Sequence, residues 1–256
     1  MSGGDRLTKL MATIYNQDLA YIQAAGFGEL ARGAAPEIVR LLKSAPIQVH
    51  RVVEVGCGAG PLTLALVNAG FKVTAIDVSA ELLAIAREAV PVAQFINASV
   101  HEMEIPACEA ILAVGEPLTY HAEPGADADR RMQNFFRRAA DVLPVGGMLI
   151  FDVIELGEPS LAGKSWSAGE DWAVLVETSE DRGSRALVRQ IETFRRVDAL
   201  YRRGHETHRV RLFDTQVLCD QLAAAEFEIE TAQAYGALSL PPRRRAFFCT
   251  RRAPSA

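Results

Sequence analysis

The sequence predicts an α/β fold, a doubly wound parallel sheet carrying an inserted antiparallel β meander, and three observations predict it. Short β-branched runs alternate with amphipathic helical segments between residues 51 and 153. A glycine-dense turn, Gly56-Cys57-Gly58-Ala59-Gly60, lies between the first such run and its helix. From Trp172 the alternation gives way to three consecutive β-rich runs separated by turn residues.

Leu7, Leu10, Met11, Ile14 and Ile22 share one helical face, so residues 7–25 read as an amphipathic helix ahead of the core. A second helix is expected to start at Pro36, a favourable first-turn residue, and to bury Ile38, Val39, Leu41 and Leu42. Arg51 to Val55 is the first strand, followed by a helix from Pro61 to Ala69 closed by Gly70. Phe71 to Ile76 is a second strand ending at Asp77, and Ser79 caps a helix over 80–89. Strands are expected at 94–97 and 111–114, then a helix over 127–143 with Met132, Phe135, Phe136, Ala139 and Leu143 inward. Gly146-Gly147 leads into a strand over 148–153. The meander comprises Trp172–Thr178, Ala186–Arg196 and Tyr201–Phe213; Asp214 then caps a helix, and strands follow at 227–233 and 245–250.

With 256 residues, 49% of them hydrophobic, the chain can bury a substantial core, and a formal charge of −5 argues against a nucleic-acid partner. Cys57, Cys108, Cys219 and Cys249 are too scattered for a metal cluster or disulfide framework. No apolar run is long enough to span a membrane, so a cytoplasmic protein, monomer or homodimer, is expected.

The turn after the first strand carries the chemistry. Its glycines let the backbone bend sharply and approach a ligand, and the following helix turns free N–H groups toward it. Asp77 ends the next strand, 21 positions after Gly56, where a carboxylate can accept hydrogen bonds from both ribose hydroxyls. A dinucleotide fingerprint would place its last glycine where Pro61 stands, and the carboxylate of Glu54 suits an amino group better than a pyrophosphate. A zwitterionic amino acid joined to adenosine fits both facts.

Through Val52-Val53-Glu54-Val55-Gly56-Cys57-Gly58-Ala59-Gly60, Asp77 and the later Leu143-Pro144-Val145-Gly146-Gly147 turn, the sequence resembles the class I S-adenosylmethionine-dependent methyltransferases of small-molecule type. The resemblance implies a seven-stranded, mostly parallel sheet whose last strand is antiparallel. It implies S-adenosyl-L-methionine as cofactor and S-adenosyl-L-homocysteine as product. Gly56, Gly58 and Gly60, with Cys57 among them, would border the methionine moiety. Glu54 would orient its amino group, Asp77 would hold the ribose and Val78 would pack on adenine. Ser99 and Val100 stand where such enzymes contact adenine, although the usual acidic residue there is missing. Tyr15 and Tyr21 of the N-terminal segment are candidates for a lid over the cofactor.

The fourth strand runs into Gly115-Glu116-Pro117-Leu118-Thr119-Tyr120-His121, at the sheet edge where a reaction centre belongs. Gly115 is a further cofactor contact, and Glu116, Tyr120 and His121 are the catalytic candidates. The tip lacks the Asp/Asn-Pro-Pro-aromatic run of methylases acting on nucleic-acid bases, which points to a small-molecule methyl acceptor. The meander would roof the acceptor pocket, contributing Trp166, Trp172, His205, Glu206, His208 and Arg211. His205 and His208 fall on opposite strand faces, so no shared metal is expected. The nine arginines between Arg182 and Arg211 read mainly as a solvated face, and Arg243-Arg244-Arg245 as protection of an edge strand.

The expected organisation is a helical lid segment (1–35), a Rossmann-like core (36–156 and 214–256) and an inserted antiparallel cover (157–213). The expected function is transfer of a methyl group to an N or O atom of a small metabolite by in-line displacement. A nicotinamide-dependent oxidoreductase and a non-catalytic nucleoside-binding module are the alternatives.

Overall fold

The computed structural model describes residues 14–120 and 127–253. Two helices, α1 (Gln17–Gly26) and α2 (Glu29–Lys43), precede the alternating core: β1 (Arg51–Val55), α3 (Pro61–Asn68), β2 (Lys72–Asp77), α4 (Ala80–Ala89), β3 (Gln94–Asn97), β4 (Ala110–Ala113), α5 (Asp127–Val142) and β5 (Met148–Ile154). Next come β6 (Gly163–Ala168), β7 (Trp172–Asp181), β8 (Ala186–Val197) and β9 (Leu200–Arg211). The chain then returns through α6 (Thr215–Ala224), β10 (Phe227–Ala232), the short pair β11 (Ala234–Tyr235) and β12 (Leu238–Ser239), and β13 (Arg244–Arg251).

The main sheet has seven strands in the order β10-β13-β5-β4-β1-β2-β3. Neighbours from β3 to β5 are parallel, whereas β13 runs antiparallel to both β5 and β10. Strand alternation divides the apolar side chains between two faces. Val52, Ala110, Leu112 and Ile150 pack on one side with Ile38 and Leu42 of α2 and Leu62 and Leu66 of α3. Val53, Ile111, Leu149 and Phe151 pack on the other with Phe135 and Phe136 of α5 and Leu218 and Leu222 of α6. Phe151 and Phe247, directly opposite across β5 and β13, stack at 4.7 Å. Both sheet faces are therefore covered by helices, leaving the strand ends as the accessible crevice.

The expected caps form: Ser79 Oγ accepts from Leu82 N, and Asp214 accepts from Gln216 N and Val217 N. The second helix starts earlier than expected, at Glu29, with Pro36 inside it. Ala34, Ala35, Ile38 and Leu42 give that helix a buried stripe extending on both sides of Pro36, so packing overrides the proline signal. The first helix begins at Gln17 and residues 1–13 lie outside the described part of the chain, as does His121. The cover is a four-stranded antiparallel sheet, β6-β7-β8-β9, whose first strand is half-hidden in a polar sequence. Trp172, Val174 and Ile191 on its inner face clamp Leu19 and Ile22 of α1.

β13 is not the protected edge that its arginines suggested; β10 and β3 are the edges. The arginines are consumed internally instead. Arg243 pairs with Glu180, Arg244 with Glu116 and Arg245 with Glu155.

Candidate active site

A cavity of about 980 Å³ opens at the C-terminal ends of β1, β2 and β4, the crevice that a doubly wound sheet offers to ligands. It is bordered by the glycine loop at one end and by Tyr15, Tyr120 and Arg189 at the other.

The loop is tightly built. Gly56 N donates to Ile76 O at 2.7 Å, which turns the chain away from β1. At Gly56 φ is +68° and a Cβ would fall 2.2 Å from Cβ of Pro117, so only glycine lets this loop meet the one after β4. Gly58 also has positive φ, +56°, but a Cβ there would meet nothing within 4 Å, because it faces the open cavity. Asp77 clamps the loop to β2, its Oδ2 accepting from Gly58 N at 2.8 Å and its Oδ1 from Ser79 N at 2.9 Å. Burial pushes its pKa up, against the pull of those N–H groups. Val78, Ser99, Val100 and His101 line the same half, as do Cys57, Gly60 and Gly115. Burial also holds the Cys57 thiol well above its ordinary pKa, so it is a neutral wall residue.

Several expected roles change. Glu54 does not line the cavity; it is buried under the loop, where Oε2 accepts from Thr63 Oγ1 at 2.6 Å. Burial raises its pKa to about 8, so near neutrality it is largely a carboxylic acid rather than a charged anchor for an amino group. Tyr21 is directed to the cover instead of the cavity, donating to Asp171 at 2.8 Å with the Arg195 guanidinium over its ring. Trp166 is exposed and Trp172 packs on α1, and neither reaches the cavity.

Glu116 lies at the cavity but is not a free base. Its Oε1 accepts from Arg189 of β8 at 2.6 Å and its Oε2 from Arg244 of β13 at 2.5 Å. Burial opposes its ionisation, yet the two guanidinium groups outweigh burial and hold it below the usual carboxylate range. Tyr120 OH lies 3.1 Å from Tyr15 OH and accepts weakly from Arg189 at 3.4 Å. Burial pushes the pKa of both phenols up, that of Tyr15 well above its ordinary value. His208 is buried and paired with Glu206 at 2.9 Å, while His205 faces outward to Glu192. Among the described residues no group of three His, Cys, Asp or Glu side chains converges on a metal position.

Asp152 was missed. Fully buried, it accepts from Gly115 N, Glu116 N and the Tyr235 hydroxyl, and so fixes the turn after β4. Its signal in the sequence is a lone acid within the apolar run Met148-Leu-Ile-Phe-Asp-Val-Ile154. Arg189 and Arg244 have no comparable signal, since each stands among other arginines that are solvated or paired elsewhere.

Residues 52–147, the segment that builds β1 through the turn before β5, match a family model described as a methyltransferase domain. Over that segment the chain is similar to methyltransferase domains. A candidate methyltransferase of Bacillus subtilis (strain 168) is 24% identical over 192 residues, 72% of this chain and 76% of that protein. One from Geobacillus sp. (strain WCH70) is 31% identical over 108 residues, 40% of this chain and 42% of that one. Among solved structures, an S-adenosylmethionine-dependent methyltransferase from Clostridium acetobutylicum ATCC 824 superposes with a TM-score of 0.77 at 15% identity, covering 91% of this chain and 99% of that one. A sugar N-methyltransferase from Streptoalloteichus sp ATCC 53650 superposes at 0.72 with 20% identity and covers 92% of each chain. The main sheet and the inserted sheet therefore share their arrangement with whole solved proteins. The residues also fit S-adenosylmethionine, because Gly58 leaves the loop open on the cavity side and Asp77 stands at the end of β2.

Proposed function

We propose that the protein transfers a methyl group from S-adenosylmethionine to a nitrogen or oxygen atom of a small metabolite. The carrying observation is a continuous cavity of about 980 Å³ that runs from the glycine loop to the inserted sheet, large enough for a nucleoside cofactor and an acceptor end to end. The sugar N-methyltransferase and an amino pentose methyltransferase from Micromonospora echinaspora, at a TM-score of 0.72 and 17% identity, support a small acceptor.

The bound cofactor would supply an electrophilic methyl carbon, so the protein's task is alignment and exclusion of water, worth up to about 7–11 kcal/mol. In this reading the glycine loop receives the methionine portion and Asp77 the ribose hydroxyls. Tyr15 and Tyr120, kept as phenols, orient the acceptor heteroatom by hydrogen bonds. Glu116, held ionised by two arginines, contributes a fixed field rather than proton removal. An amine acceptor would then have to arrive deprotonated.

Parallel calorimetric titrations with S-adenosylmethionine, S-adenosylhomocysteine and NADH test the cofactor, and a panel of amino and hydroxy metabolites with radiolabelled methyl donor tests the acceptor. Binding of the sulfur nucleosides alone, with label appearing in a small metabolite, is expected. Binding of NADH alone would move the protein to hydride chemistry, and sulfur-nucleoside binding without transfer to any acceptor would leave a nucleoside-binding module.

A further inference from the structure

We propose that Glu206 is a positioning residue that seats Tyr15 between the inserted sheet and Ser79 beside the glycine loop, coupling that sheet to cofactor retention. The proposal rests on the methyl-transfer reading for the identity of that cofactor. Tyr15 adopts φ +54°, a left-handed conformation costly for an aromatic side chain and maintained only where several contacts fix it. Four such contacts exist. The Tyr15 amide donates to Glu206 Oε2 at 2.7 Å, and its carbonyl accepts from Ser79 Oγ at 3.0 Å. Its hydroxyl lies against that of Tyr120, and its ring rests on His208 with centroids 4.9 Å apart.

Glu206 is central to this arrangement. Its Oε1 accepts from Asn16 N at 2.9 Å, at the N-terminus of α1, where the side chain of Asn16 makes no cap of its own. A side chain from β9, 190 residues away, thus closes the N-terminal end of the helix. His208 Nε2 approaches Glu206 Oε2 at 2.9 Å and orients the carboxyl group from the same strand face. Glu206 does not line the cavity, so its influence passes through Tyr15. On the other side, Ser79 is tied to Asp77 and Asp77 to Gly58, so Tyr15 bridges the cover and the glycine loop.

The test is a thermodynamic cycle read by titration with S-adenosylhomocysteine, using the full chain and Glu206→Gln, Glu206→Asp, Tyr15→Gly and the Tyr15→Gly/Glu206→Gln double variant. Gln presents one acceptor oxygen and an amide donor to groups that are themselves donors, so Glu206→Gln should raise the Kd about tenfold or more. Glu206→Asp should recover part of that loss. In the Tyr15→Gly background, where the left-handed turn costs nothing and the aromatic ring is gone, Glu206→Gln should add little. An unchanged Kd in a folded Glu206→Gln protein would overturn the proposal, as would a fully additive loss in the double variant, the pattern of a merely structural residue. If Glu206→Gln does not fold, the same cycle run with Glu206→Asp decides by the same criterion. Failure of the unmodified chain to bind S-adenosylhomocysteine would overturn the cofactor reading and this proposal together, whereas wild-type binding with an additive cycle overturns only this one.

Discussion

Replacing Glu54 by Gln should make the protein more stable in alkaline solution and remove much of its pH dependence. The carboxyl is 3% exposed, holds one hydrogen bond from Thr63, and burial raises its pKa to about 8. Because the folded state binds this proton more tightly than the unfolded chain, the stabilisation is complete below the unfolded pKa and is lost as pH rises through the folded one. The window therefore runs from about pH 4.5 to about 8, with a slope of about 1.4 kcal/mol per pH unit. Over the whole window that amounts to at most about 5 kcal/mol, and between pH 6 and 8 to about 3 kcal/mol. Gln keeps the shape and can accept from the Thr63 hydroxyl, yet it has no charge to bury. Urea unfolding of both proteins at pH 6, 7, 8 and 9 measures the difference. The stability of the wild type relative to Glu54→Gln should fall steadily up to about pH 8 and then level off. Two curves that remain parallel across this range would refute the reasoning, since they would mean that Glu54 is already ionised at pH 6 or is solvated.

Other outcomes follow from the same geometry. Glu116→Gln leaves Arg189 and Arg244 without a full counter-charge and should cost about 3–5 kcal/mol, seen as a melting temperature lower by about 6 °C or more. Since the pKa of Glu116 is depressed, its contribution should be complete above about pH 4.5 and fade as acid titrates the folded carboxylate, which acid unfolding of this variant against the wild type would show. Gly56→Val should fail to fold or melt far lower, because its Cβ strikes Pro117, whereas Gly58→Ala meets no clash and should stay folded, less stable by about 1–2 kcal/mol for its positive φ, and lose affinity for S-adenosylhomocysteine. Asp77→Ala should abolish that binding while Asp77→Asn, which retains one acceptor oxygen, keeps part of it; calorimetry distinguishes them.

The core was legible because its signals are local. Strand-glycine-helix order, Ser79 and Asp214 as caps, and the phenylalanines of α5 each reveal an element within a few residues. The seven-stranded sheet with its last strand antiparallel followed from family resemblance, its strand order did not, and β6 escaped notice because Gly163-Lys-Ser-Trp-Ser-Ala168 is polar and exposed. At the site, the glycine loop, Asp77 and Tyr120 were visible as residues near strand ends, and Tyr15 as a lid candidate of the N-terminal segment. Their electrostatics were not: Glu116 read as a candidate base because its partners come from 73 and 128 residues downstream. Glu54 read as a ligand contact because sequence cannot say whether a residue beside a turn points into the crevice or beneath it. The long-range ion pairs that decide ionisation have no periodicity.

The Arg189–Glu116–Arg244 arrangement has a bearing on how such a protein can diversify. It joins the inserted sheet, the turn after β4 and the last strand, β13, three segments that would otherwise be interchangeable parts. Exchanging the insert for one from a related protein, the obvious way to alter what the pocket accepts, would strand Glu116 with a single partner unless the newcomer brings a cation to the position of Arg189. The cover is therefore a co-dependent module, and successful grafts should be those selected first for charge balance at this junction and only then for the shape of the pocket.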